Sequence, residues 1–182
     1  ARSLVSLGRL PEAEELFRAL SADPEAAGEW EFLLGYAEYS FAVGDLGAAL
    51  TKVDAALVKR PESGLLHYWK ARILHHDGET GAAQAEAEKA VALSERNNRP
   101  LADLAFAHAL NGDPDQARRL LGRLQAMADR GGDVTDYEYA IIHLGLGDAE
   151  RAIRKLELAL EQRSWQVTIM GVDPLLASLR DD

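Results

Sequence analysis

Five histidines are the first residues in this chain with chemistry to offer. His75, His76 and Asp77 are adjacent and could in principle share a metal ion. On a helix, neighbours point about 100° apart, so they do not form the facing pair that an i, i+4 spacing gives. With no cysteine and no HExxH-like spacing, no metal site is expected. Paired carboxylates such as Glu14 and Glu15, or Glu86 and Glu88, read as solvated helix faces rather than acid–base pairs. GxSxG, P-loop and Rossmann glycine patterns are absent, and Gly131 with Gly132 lacks the further glycine such loops need. No catalytic residue and no cofactor are therefore assigned.

Any remaining function has to come from a surface, and composition bounds what that surface can be. A hydrophobic content of 47% with only 6 Pro, and many Ala, Leu, Glu and Arg residues, predicts an ordered helical protein. The formal charge of -10 argues against a nucleic-acid face, which needs clustered Lys and Arg. No apolar stretch approaches the roughly 18 residues of a membrane span. The lack of cysteine fits a reducing compartment and also a periplasmic protein, with the cytoplasm favoured. Ala1 to Leu7 reads as the end of a helix leading into Gly8, which predicts a piece cut from a longer protein.

The elements that would position such a surface repeat. Gly8, Gly44, Gly78, Gly112 and Gly147 lie 36, 34, 34 and 35 residues apart. Five positions after each stands an alanine: Ala13, Ala49, Ala83, Ala117 and Ala152. The clearest copy, Gly44 to Pro61, has a turn glycine, Asp45 as N-cap, Ala49 and Ala56 on one helical face with Leu50, Val53 and Leu57 beside them, and a terminating proline. Asp23 with Pro24 and Asp113 with Pro114 predict further helix starts, and Thr135 with Glu138 has capping-box spacing. The expected division is a partial repeat at 1–25, repeats at about 30–61, 64–95, 98–129 and 133–164, and a departing segment at 165–182. In that segment Asp173 and Pro174 restart a short helix, Leu175 to Leu179, preferred as a cap on the open end of the stack over an unstructured remnant.

A period near 34 with this Gly, Asp, Ala, Ala, Pro series resembles the tetratricopeptide repeat family over Ala1 to Arg163. The family's favoured tryptophan in the first helix is replaced by Leu33, His67, Leu101 and Asp136. His67, His108 and His143 fall at repeat packing positions. Trp165, Val172, Asp173, Pro174, Leu175, Leu179, Arg180 and Asp181 resemble the closing segment of such arrays in bacterial multidomain regulators. The resemblance implies an all-α, right-handed solenoid of stacked antiparallel helix pairs with a C-terminal capping helix.

It also implies a concave groove lined by the first helix of each repeat. The corresponding positions are Glu31, Leu34, Glu38 and Phe41, then Tyr68, Trp69, Arg72, His75 and His76, then Arg99, Asp103 and Phe106, and last Tyr137 and Ile141. Tyr68, Trp69 and Phe106 either fill space between helices or contact a ligand. Arg72 is the strongest binding candidate, because a long cation on an inner helix face needs water or an anion. The co-chaperone clamp for a C-terminal carboxylate is not expected, since its positions hold Leu34, Glu38, Trp69, Arg99 and Asp103 and only Arg99 matches in charge.

The expected function is a non-enzymatic scaffold that binds a peptide or protein segment in the groove. Replacing Arg72 and Trp69 by alanine is then expected to weaken partner capture with helical content intact. The alternative is a regulatory or oligomerisation module of a larger bacterial signalling or transcription-regulating protein, in which the chain is a possible homo-oligomer.

Overall fold

The computed structural model describes residues 2–94, 98–163 and 173–179. Eleven α-helices precede one short 3-10 helix among them. They are α1 (Arg2–Ser6), α2 (Leu10–Leu20), α3 (Pro24–Gly28), α4 (Trp30–Ala42), α5 (Leu46–Lys59) and α6 (Gly64–His76). There follow α7 (Thr80–Leu93), α8 (Asn98–Leu110), α9 (Pro114–Asp129), α10 (Asp136–Gly145), α11 (Ala149–Glu161) and the 3-10 helix Pro174–Leu179. Trp165, Val172, Arg180 and Asp181 lie outside the described residues.

The five aligned glycines are the turns. Gly44 has φ of +82°, a left-handed conformation that glycine adopts without a Cβ penalty, and Gly8, Gly78, Gly112 and Gly147 share it. After Gly44, the Asp45 carboxylate accepts the Ala48 N–H at 2.9 Å and starts α5. Asp113 does the same for the Gln116 N–H before α9, and Asp148 for the Arg151 N–H before α11, both at 3.0 Å. The Thr135 N–H donates to Glu138 Oε2 at 2.8 Å, one half of the capping box that opens α10. Each short turn reverses the chain, so α4/α5, α6/α7, α8/α9 and α10/α11 are antiparallel pairs.

The alanines placed five residues after the glycines are buried at the helix packing faces. Ala13, Ala49, Ala117 and Ala152 are 0% exposed and Ala83 is 1% exposed. Their small side chains leave room for larger ones around them, such as Val53, Leu66 and Ile73 between the α4/α5 and α6/α7 pairs. The pairs then stack: α5 on α6, α7 on α8, and α8 on α10. Helix α8 sits in the middle of this stack, and Pro100 through Ala107 are all buried. The result is an all-α solenoid whose first helices, α4, α6, α8 and α10, form one row.

At the N-terminal end, α1 and α2 close the row against α4. Phe17 stacks on Tyr36 with ring centroids 5.2 Å apart and meets Phe32 edge-on at 5.8 Å. No helix among the described residues is long and apolar enough to cross a membrane.

Candidate functional site

The polar centre of the row is on α6. Tyr68 and Arg72 are one helical turn apart, and Arg72 Nη1 donates to the Tyr68 hydroxyl at 2.8 Å. The guanidinium lies 5.7 Å from the Trp69 ring, so two aromatic rings flank a cation that is only 3% exposed. A buried cation needs an anion, and the chain supplies one from far along its length. Arg72 Nη2 donates to one oxygen of Asp173, and the Tyr137 hydroxyl of α10 donates to the other. The Leu175 N–H donates to Asp173 Oδ1 at 3.0 Å.

A second carboxylate, Asp103 of α8, has Oδ2 3.9 Å from Arg72 Nη1. The two acids titrate in opposite directions. Burial pushes the Asp103 carboxyl up to about 6, against the opposing pull of Arg72 and Arg99. Burial also acts to raise Asp173, but the Arg72 charge and the hydrogen bonds from Tyr137, Arg72 and Leu175 outweigh it, and its pKa falls below the ordinary value. Arg72 is held still more firmly in its charged form: burial opposes this, and Asp173 overcomes it. The Tyr137 hydroxyl is pushed up, first by burial and then by Asp173. Asp173 is thus the ionised partner of Arg72.

Apolar contacts continue from this pair. Leu175 and Leu176 are buried in a cluster with Phe106, Tyr137, Ile141 and Ala159, and Leu144, Leu156 and Leu179 pack against it. Phe106 meets the His75 ring edge-on at 4.9 Å. A small cavity beside Leu175 is lined by Arg72, His75, Asp103, Phe106 and alanines of α6, α7 and α8. Three buried atoms around it, Arg72 Nε, His75 Nδ1 and Asp103 Oδ2, have no hydrogen-bond partner among the described residues. The segment Asp173–Leu179 therefore lies across the first helices of three successive pairs.

The residues proposed as groove lining fall into distinct environments. Tyr68, Arg72, Asp103, Phe106, Tyr137 and Ile141 are buried, all but Tyr68 and Asp103 in direct contact with the 173–179 segment or its leucine cluster. Arg99 is half-buried, with its guanidinium 5.3 Å from the Tyr68 ring. Leu34 is 0% exposed and belongs to the core between α4 and α5. Glu38 is buried under α1, where Arg2 Nε donates to it at 2.7 Å. Phe41 is buried between Trp69 and His76, at ring distances of 6.0 and 5.7 Å. Glu31 and His76 are exposed, and Trp69 and His75 are half-buried.

His67, at a packing position, is held by Glu86 Oε2 at 2.5 Å and the Pro61 carbonyl at 2.9 Å. Two residues that matter here escaped the sequence reading. Asp173 was visible as a helix-starting residue before Pro174 and as part of the closing-segment resemblance, not as a site residue, although Arg72 signalled the need for an anion. Arg2 carried no signal at all.

A helical-repeat stack whose first helices carry a polypeptide segment defines a protein of the solenoid class. Two profiles of the tetratricopeptide repeat family match, one over residues 1–41 and 40–98 and one over residues 98–123. The chain belongs to the tetratricopeptide repeat family. Among solved structures it is similar to one described as the crystal structure of MamA, with 19% identity, 82% of this chain and 85% of that one covered, and a TM-score of 0.51. At that identity the likeness is one of fold. No curated protein matches. Repeats of this family generally mediate protein–protein interaction.

Proposed function

We propose that the chain is a non-enzymatic scaffold that holds a peptide or protein segment along the row formed by α4, α6, α8 and α10. The observation that carries this reading is that a polypeptide segment, Asp173–Leu179, already lies against α6, α8 and α10 through one charge pair and a set of leucines. Aromatic residues beside arginine are the types most often dominant in binding energy, and Trp69 and His76 extend the row toward α4 with surface still open to water. The acidic balance of -10 favours a protein partner over nucleic acid.

The test uses photo-crosslinking side chains placed one at a time at His76, on the row, and at Val58, which is 84% exposed on α5. A partner of the row crosslinks from position 76 and not from position 58, and Trp69→Ala weakens that product. Equal crosslinking from both positions removes the assignment to the row.

A further inference from the structure

The segment Asp173–Leu179 meets the row in the way a bound peptide would. Its acidic side chain enters a site made by three residues from different places: Arg72 and Tyr137 hydrogen-bond the two carboxylate oxygens, and Tyr68 holds the Arg72 guanidinium in place. The site is built for an anion, since Arg72 is 3% exposed and Tyr137 2% exposed. Leu175 and Leu176 then fill apolar space formed by Phe106, Ile141 and Ala159. Charge and apolar fill lie at a fixed spacing, which is the form of a recognition sequence.

We propose that Asp173–Leu179 is an internal ligand, and that the partner segment it stands in for carries a carboxylate followed at two and three residues by leucines. This rests on the reading of the row as a peptide-holding surface and names the chemistry that surface selects. A partner segment of this kind competes with a ligand that belongs to the same chain. An intramolecular ligand has an effective concentration on the order of 1 mM, so a site with micromolar intrinsic affinity looks about 100-fold or more weaker while the internal ligand is seated. The row is therefore selective twice: by the Arg72 site, and by the requirement that the incoming segment outcompete the resident one.

The experiment uses the full chain and a fluorescent peptide of residues 172–182, followed by anisotropy. Two chain variants weaken the internal ligand at opposite ends: Asp173→Asn removes its charge, and Leu175→Ala with Leu176→Ala removes its apolar anchor while keeping the ion pair. Each variant that retains helical circular dichroism is expected to bind the peptide at least tenfold more tightly than the unaltered chain. A peptide carrying Asp173→Asn is expected to bind tenfold or more weaker, the loss of a charge-assisted hydrogen-bonded pair.

Folded variants that bind the peptide no better than the unaltered chain overturn the proposal, as does equal binding of the two peptides. A concentration-dependent dimer of the unaltered chain that is lost in Asp173→Asn assigns the site to a second copy and overturns the choice of a partner protein. The broader reading fails separately. Crosslinking from position 76 that depends on Trp69, without peptide binding, keeps the scaffold and removes the internal ligand; peptide binding without crosslinking does the reverse.

Discussion

Arg72 was expected to be a groove cation on an inner helix face, satisfied by water or an anion, whose replacement together with Trp69 weakens capture with helical content intact. Its burial against Asp173 changes that expectation. Arg72→Ala leaves a carboxylate at a site 3% exposed with its cation gone, and breaking a buried pair in this way costs about 3–5 kcal/mol. Urea unfolding should show that loss for Arg72→Ala; a loss below about 1 kcal/mol would mean that Asp173 reaches water when released. Asp103 makes a prediction of the opposite kind. A carboxyl raised from its ordinary 3.8 to about 6 stabilises the fold only while protonated, so its contribution is present below pH 4 and lost as pH rises through 6, about 3 kcal/mol in all. Asp103→Asn should therefore gain on the unaltered chain in thermal stability between pH 4 and 7. His75 and His143, both lowered chiefly by burial, titrate in an overlapping window but do so in both proteins, so the difference isolates Asp103. Asp173, whose pKa is lowered, loses its contribution only as pH falls below its unfolded value, outside that window. A difference that shrinks with rising pH would show Asp103 to be ionised without cost.

At the scale of elements, the register of the stack is written in short-range pairs of residues. Gly44 and Ala49 are in the same turn and helix, and both their conformation and their burial follow from local geometry, as they do in the other four copies. That is why helix positions could be read from the sequence: Asp45 was expected as an N-cap and Pro61 as a stop, and α5 is Leu46–Lys59 with Asp45 as its N-cap. Ala49 is 0% exposed against α4, so Ala49→Leu should overpack the α4/α5 pair and lower stability by about 1–3 kcal/mol in thermal or urea unfolding. An unchanged midpoint would mean that the pair has room its burial does not suggest. The site was less legible. Tyr68, Trp69 and Arg72 were placed in the groove by the family resemblance, but nothing periodic connects them with Asp173, 101 residues beyond Arg72. Asp173 before Pro174 also has an ordinary local explanation, as the start of a helix, and that explanation masked the distant one. The pairing of Glu38 with Arg2 was hidden likewise, because Arg2 falls at no repeat position that would mark it.

For the molecule as a whole, solenoids are held by contacts between neighbours, and their stability is close to a sum over units and interfaces. Most of this chain obeys that rule, with α5 on α6, α7 on α8 and α8 on α10. The pair between Arg72 and Asp173 does not, because it joins the second helix pair, α6/α7, to a segment that follows the fourth, α10/α11. Tension gives this its plainest consequence. In a simple stack, force applied at the C-terminal end peels the last helix pair away first. Here a load entering beyond residue 179 divides between α6, through Arg72, and α10, through Tyr137, and α11 unravels only after that anchorage gives. Stretching single molecules by their two ends should show one high rupture step in the unaltered chain and a lower, staged release in Asp173→Asn. A sequence that reads as a row of separable units thus behaves under force as a chain pinned back upon its own middle.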